Sequence, residues 1–292
     1  MTWNAPGFSG VPNVGCVTRP AAKAAKSSPN RHLAISGALN DFSLSVVCHV
    51  VEEEHLGRVI YAGGDDVLAM LPVADLLSSM QRLRLAYSGD DPTHEGGRDP
   101  RGLTLQNGFA MLKGKLMRMM GTQATASCGA VIAHHQAPLG AVMRELREAE
   151  KRAKNEGGRD AFSITVIKRS GGALYLTAKW SEPMALLNSL IDFLSADGVS
   201  RRAVYHTLEW LHDLPCPKGA SGMLEALLAY QFDRQIESKE KREVLERHDV
   251  PGLARLLAVM AAGQPRDGLK WLENFMTVAE FLARETRAGE QA

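Results

Sequence analysis

The stretch Val59 to Leu71, VIYAGGDDVLAML, decides how the rest of the chain is read. Two apolar runs, Val59 to Ala62 and Val67 to Leu71, flank Gly63, Gly64, Asp65 and Asp66. Such runs on either side of a glycine-containing turn predict a hairpin of two buried strands, because glycine supplies the positive φ that a tight hairpin turn needs. The two acids then sit at the turn. Adjacent carboxylates beside a buried sheet repel one another and resist ionisation unless a cation neutralises them. A hard cation such as Mg²⁺ suits carboxylate and phosphate oxygens together, which points to chemistry on nucleotide phosphates. An ordinary surface turn would use the same residues, since Gly and Asp are favoured in turns for conformational reasons alone. The four residues by themselves leave both readings open.

Composition narrows the classes. The 292 residues give length for about two domains, and 45% hydrophobic residues is ample for a buried core. With 34 Lys plus Arg against 33 Asp plus Glu, no global basic field announces nucleic-acid binding, so any such binding is local. Cys16, Cys48, Cys128 and Cys216 form no CxxC pair, which argues against a zinc ribbon and a disulfide framework and fits a reducing cytoplasm. No run approaches 18 apolar residues, and Met1 to Gly15 lacks the basic-then-apolar order of a secretory signal. Neither export nor membrane insertion is expected.

Outward from the hairpin, residues 1–30 are rich in Gly, Pro, Ala, Ser and Lys without periodicity and read as a flexible leader. From Arg31 to His55, Ile35, Leu39, Phe42, Val46 and Val50 recur at helical spacing and predict an amphipathic helix feeding the hairpin. A second helix is predicted from about Val73 to Tyr87, then a loop insertion over Ser88 to Gly102. Leu103 to Met120 reads as a short helix with Lys113, Lys115 and Arg118 solvated. Thr125 to Ala133 reads as a strand, Pro138 to Asn155 as a helix, and Ala161 to Lys168 with Leu174 to Trp180 as two strands joined by a Ser-Gly-Gly turn. That order predicts an α+β fold, a mostly antiparallel sheet with helices on one face, over 31–180. Helical patterns at Pro183 to Leu194, Arg201 to Leu211, Gly222 to Ile236, Pro251 to Ala262 and Leu269 to Arg284 predict a helical domain over 181–292.

The helix ending at Gly157 carries Arg144, Arg147, Lys151 and Lys154 along one face, with Leu139, Val142, Leu146, Ala149 and Ala153 facing the core. A cationic stripe beside a metal turn would suit a polyphosphate. Glu148 with Arg152 and Glu150 with Lys154 are ordinary i,i+4 pairs, and on spacing alone they favour a solvated helix face over a phosphate site. On the first helix, Ser36, Asn40 and Ser43 form a polar stripe that suits a base or ribose, or plain solvent. His134 and His135, at the end of a strand, would point to opposite faces and not share one ion.

These residues accumulate into a resemblance. RVIYAGGDDVLAMLP from Arg58 to Pro72, AHHQAP from Ala133 to Pro138, AEKRAKNEGGRDAF from Ala149 to Phe162 and SPNRHLAISGALNDF from Ser28 to Phe42 resemble the large subunit of type III-B CRISPR RNA-guided effector complexes, over roughly residues 28 to 292. The resemblance implies the second of two polymerase- or cyclase-like palm domains, ferredoxin-like in fold, followed by a helical domain that packs on other subunits. It implies that ATP is converted into cyclic oligoadenylates in an RNA-guided antiviral complex that pairs guide with target RNA. It further implies that Asp65 and Asp66 bind Mg²⁺ or Mn²⁺ and that Gly63 and Gly64 let the backbone approach. Lys154 would hold triphosphate oxygens with help from Arg159, and Ser36 would lie near the adenine or ribose. The chemistry would be two-metal, in-line attack of a 3′-hydroxyl on an α-phosphate.

The chain also departs from that pattern. An upstream strand with a string resembling DGDxMG supplies another metal ligand in the family, and residues 1–30 contain no Asp or Glu. The nuclease-like HD domain and the first palm are absent too, so the chain is expected to be the carboxy-terminal part of a longer subunit. Two alternatives follow. One is a catalytically inactive docking fragment of the complex; the other is a stand-alone nucleotide cyclase that takes its missing acid from Asp41 or from a second chain.

Overall fold

The computed structural model describes residues 28–92, 102–169, 171–200, 202–211, 213–214, 221–237, 241–264 and 267–290. Most of the expected leader, and residues 93–101 of the expected loop insertion, lie outside them. Helix α1, Pro29–Asp41, opens on Ser28, whose Oγ accepts from the Arg31 N–H at 3.3 Å, with Pro29 where its missing N–H costs nothing. It continues through two π-helical turns, Phe42–Val46 and His49–Glu53. By length and composition the stretch Pro29–Glu53 could cross a membrane, but Phe42, Val46, Val47, Val50 and Val51 are buried in the protein's own core.

The hairpin follows as β1, Arg58–Gly63, and β2, Asp66–Met70, antiparallel with Gly63 paired to Asp66 and a bulge between Val59 and Tyr61. Its inner face, Val59, Ala62, Val67 and Ala69, packs on the valines of the preceding helix, while Ile60, Tyr61 and Met70 are exposed. Helix α2, Leu76–Ser88, ends at Gly89 in the left-handed region (φ 72°). A Cβ there would come within 2.6 Å of the Gly108 carbonyl carbon, so the backbones can meet only at glycine.

The short helix expected over Leu103 to Met120 is not formed. That segment is a meander, β3 Leu103–Gln106, β4 Phe109–Leu112 and β5 Lys115–Arg118. Two X-Gly pairs force it: Asn107-Gly108 (φ 53° and 83°) and Lys113-Gly114 (φ 50° and 83°) carry positive φ at both central residues, as two-residue hairpin loops require. Leu103, Leu105, Ala110, Leu112 and Met117 then alternate into the same core as the first helix.

Strand β6, Cys128–Ile132, helix α3, Leu139–Asn155, and strand β7, Ala161–Ile167, form a crossover unit, so β6 and β7 are parallel; β8, Ala173–Lys179, returns antiparallel to β7. The α+β architecture is as expected, yet the strands divide into three separate sheets, β1-β2, β3-β4-β5 and β6-β7-β8. Gly129 lets α3 lie on β6, since a Cβ would stand 2.4 Å from the Glu150 nitrogen. Ala149 and Ala153 meet the sheet, whereas Leu139, expected inside, is exposed at the first turn.

Six helices complete the described residues: α4 Glu182–Ser195, α5 Arg202–Leu211, α6 Ser221–Arg234, α7 Lys241–His248, α8 Val250–Ala262 and α9 Gly268–Glu290. Phe162, Ile164 and Leu176 of the sheet share one core with Leu187 and Leu190 of α4 and Leu272, Phe275 and Met276 of α9. Trp271 Nε1 donates to the Thr177 carbonyl at 3.4 Å, and β7 is buried on both faces, between α3 and the helices. The β6-β7-β8 sheet is thus held from behind by the helical region.

Candidate functional site

The hairpin loop is two residues long, Gly64 and Asp65, with positive φ at Gly64 only (64°), the sign pattern of a type II′ turn. Asp65 and Asp66 are exposed, and among the described residues neither has an ion-pair or side-chain hydrogen-bond partner. Two vicinal carboxylates with free lone pairs fit a divalent cation shared with phosphate oxygens. They do not complete a site: no group of three His, Cys, Asp or Glu side chains able to hold an ion occurs among the described residues. Asp41, the acid suggested as a third ligand, is committed elsewhere, to Lys115 Nζ at 2.8 Å.

Helix α2 relates this turn to the end of α3. The Tyr87 hydroxyl is pushed above its usual pKa by burial and then by the negative charge of Asp65, and its ring meets Phe42 edge-on at 5.2 Å. One turn earlier, Arg84 grips Asp160 through Nε at 3.1 Å and Nη2 at 3.0 and 3.3 Å. Residues at i and i+3 share a helix face, so α2 presents toward both the acidic turn and the loop that carries Arg159. No sequence pattern singles out Arg84 or Tyr87; their three-residue spacing on an amphipathic helix is the only trace.

That loop is strained. Gly158, Arg159 and Asp160 all have positive φ (66°, 60° and 43°), a cost of about 1–3 kcal/mol for each non-glycine residue. It is clamped by Arg84 and by Lys179, whose Nζ donates to the Gly158 and Arg159 carbonyls at 3.2 and 2.6 Å. Arg159 itself is exposed, with no carboxylate partner among the described residues.

The other expected residues are less gathered. Lys154 is exposed and donates to Glu150 at 2.5 Å, and Lys151 donates to Glu148 at 2.6 Å. The Lys151 contact, and then its charge, hold the Glu148 carboxyl below its usual range. Arg152, expected to pair with Glu148, turns inward instead, donating to Thr165 Oγ1 at 2.6 Å and lying 4.5 Å from the Tyr175 ring centroid. Ser36 is exposed on α1, and no described hydrogen bond ties it to the turn. The polar stripe expected beyond it breaks, because the π-helical turn rotates Ser43 into the core, where its Oγ donates to the Asn40 carbonyl. His134 and His135 lie in the turn after β6 rather than on a strand, so their rings come together, 4.1 Å apart, instead of facing opposite ways.

Residues 13–163 match the family described as Cas10/Cmr2, second palm domain. The chain belongs to the Cas10/Cmr2 family. It is 30% identical over 224 residues to the CRISPR system Cmr subunit Cmr2 of Pyrococcus furiosus, covering 75% of this chain and 22% of that protein. It is 36% identical over 175 residues to the CRISPR system CMR subunit Cmr2 of Saccharolobus solfataricus, covering 57% and 16%. A chain in the cryo-EM structure of the type III-B Cmr-beta complex in its apo state shares the fold, with a TM-score of 0.53 at 22% identity over 72% of this chain and 22% of that one. This chain therefore spans about a fifth of the length of the Cas10/Cmr2 relatives it matches.

Proposed function

We propose that this chain is the second-palm and helical part of the large subunit of a cytoplasmic type III-B CRISPR complex. It would bind ATP with Mg²⁺ or Mn²⁺ for cyclic oligoadenylate synthesis and dock on other subunits that carry guide and target RNA. The observation that carries this reading is the Gly63-Gly64-Asp65-Asp66 turn, its two carboxylates unpartnered among the described residues, set beside an α2 face that also holds the Arg159 loop. Asp65 and Asp66 would hold the cation, which when bound neutralises triphosphate charge and favours a ribose 3′-hydroxylate. Gly64, with open space around it, would let a ligand approach the backbone, and Gly63, against which the Tyr61 hydroxyl packs, would do so once that side chain moves aside. Arg159, held out by its strained loop, and Lys154, once released from Glu150, would meet triphosphate oxygens; Ser36 would meet the nucleoside.

A further strand would complete this half-site. Both outer edges of the β1-β2 pair lack a strand partner among the described residues, and Ile60, Tyr61 and Met70 are exposed on it. An unpaired edge beside an apolar face is where a further strand adds, and a strand bearing the third acidic ligand would complete the site there. The same exposed face favours the second reading, a docking fragment without turnover. Titrating ATP with Mn²⁺ into the chain and into the Asp65→Ala, Asp66→Ala double variant by calorimetry separates the two. Binding only to the unsubstituted chain supports the nucleotide half-site; no binding to either, with both folded by circular dichroism, leaves the docking role.

A further inference from the structure

At the end of the β6-β7-β8 sheet remote from the acidic turn lies a cavity of about 710 Å³ that none of the preceding chemistry uses. Its volume falls in the range of small-ligand sites, roughly 300–1,000 Å³. The parallel neighbours β6 and β7 both point their carboxyl ends into it, the position at which crevices of parallel sheets receive ligands. Val73 on its wall follows β2, while the acidic turn precedes it, so the five residues of that strand, about 17 Å, separate the two places.

The lining is chemically divided. Ile132, Val166, Leu174 and Phe281 form apolar walls. On the helical side, Glu280 of α9 is only 5% exposed; Tyr205 Oη donates to it at 3.2 Å and Arg284 stands 3.9 Å away. On the sheet side the turn after β7 contributes Lys168 and Arg169, both exposed and, among the described residues, without a carboxylate partner. The stacked His134 and His135 close that side. His134 Nδ1 accepts from the Gln136 N–H at 3.3 Å, which leaves Nε2–H as a donor. The cavity thus offers a buried carboxylate acceptor at one wall, cationic and neutral N–H donors at the other, and an apolar middle.

We propose that this cavity is a second ligand site, distinct from the acidic turn, for a purine nucleoside monophosphate that carries an exocyclic amine. The base lies between the apolar walls and donates its amine to Glu280. The phosphate meets Lys168, Arg169 and His134 Nε2–H, contacts that are charge-assisted and need no metal. Hypoxanthine in the same place has no exocyclic amine, turns its O6 acceptor toward the Glu280 carboxylate and keeps only N1–H to donate, so the site favours the amine-bearing base.

The test is calorimetric titration of AMP into the whole chain in the presence of EDTA, alongside IMP. Expected are saturable binding of AMP, binding of IMP weaker by tenfold or more, and AMP binding weakened at least tenfold by the Lys168→Ala, Arg169→Ala double variant, whose changes are on the surface. Glu280→Gln, checked for folding by circular dichroism, should narrow the preference for AMP over IMP. Unchanged AMP binding in Asp65→Ala, Asp66→Ala is also expected and separates this site from the acidic turn. No AMP binding at millimolar concentration, binding indifferent to the Lys168 and Arg169 changes, or binding lost with Asp65 and Asp66 would each overturn the proposal.

Discussion

Replacing Arg82 by Met should be among the most destabilising single changes in the palm. Arg82 is buried on α2 and donates to Glu54 through Nε at 2.9 Å and Nη2 at 3.1 Å, to Asp91 through Nη1 at 2.9 Å and to the Leu103 carbonyl at 2.6 Å. The Glu54 side chain is fully buried and that of Asp91 is 3% exposed. Methionine fills similar volume but strips the guanidinium from two carboxylates that stay inside. Removing one partner of a buried ion pair costs about 3–5 kcal/mol, and here one cation faces two acids, so the upper half of that range is expected. Arg82→Lys keeps a charge without the planar fork and should lose less, about 1–3 kcal/mol. Urea unfolding followed by circular dichroism at neutral pH measures both, with the denaturant slope checked for constancy. A loss below about 1 kcal/mol for Arg82→Met would refute the reasoning that this cluster fixes α2 against the first helix and β3.

Other expectations follow from the same geometry. Gly129→Ala pushes a methyl into the Glu150 backbone and should lower thermal stability by about 1–3 kcal/mol, through strain between α3 and β6. Arg84→Ala leaves the positive-φ loop Gly158 to Asp160 held by Lys179 and by the Arg159 N–H on the Ala153 and Lys154 carbonyls; because Asp160 is 39% exposed, global stability should change by less than about 1 kcal/mol while amide exchange in the loop accelerates. Burial, then the charge of Glu150, pushes the Cys128 thiol up to about 12 from an ordinary 9.0. Since the folded value lies above the unfolded one, stability is fully present below pH 9 and should fall between pH 9 and 12 by up to about 1.4 kcal/mol per pH unit, a slope that Cys128→Ala removes in denaturant melts.

How much of this was legible in the sequence depended on whether the signal was local. The hairpin was readable because its strands are continuous apolar runs and its loop is glycine-rich; β1, β2, β7 and β8 fall within a residue or two of the expected bounds. The C-terminal helices other than α7 carry broad apolar stripes and were also readable. Lys241–His248 carries no such signal, because Val244 and Leu245 are its only apolar residues, too few to form a stripe. In the meander, Met and Leu spacing favours a helix, but the turn chemistry of Asn107-Gly108 and Lys113-Gly114 overrides it.

The first helix shows a subtler loss. Ile35, Leu39, Phe42, Val46 and Val50 advance at about 3.75 residues per turn, above the α-helical 3.6, and the excess is absorbed by the two π-helical turns that rotate Ser43 inward. At the site, the carboxylate pair was plain in the sequence. The Arg84–Asp160 grip spans 76 residues and the left-handed Arg159 leaves no compositional mark, so neither could be read before the fold was known.

The central claim is that Asp65 and Asp66 form a metal-binding half-site that serves ATP. Titration of Mn²⁺ followed by electron paramagnetic resonance, with and without ATP, tests it most directly. Relative to ATP alone, which itself chelates Mn²⁺, the expected result is a protein-dependent loss of the free-ion signal that ATP enhances and that disappears in the folded Asp65→Ala, Asp66→Ala variant. Equal Mn²⁺ uptake by that variant, or uptake indifferent to ATP, would contradict it.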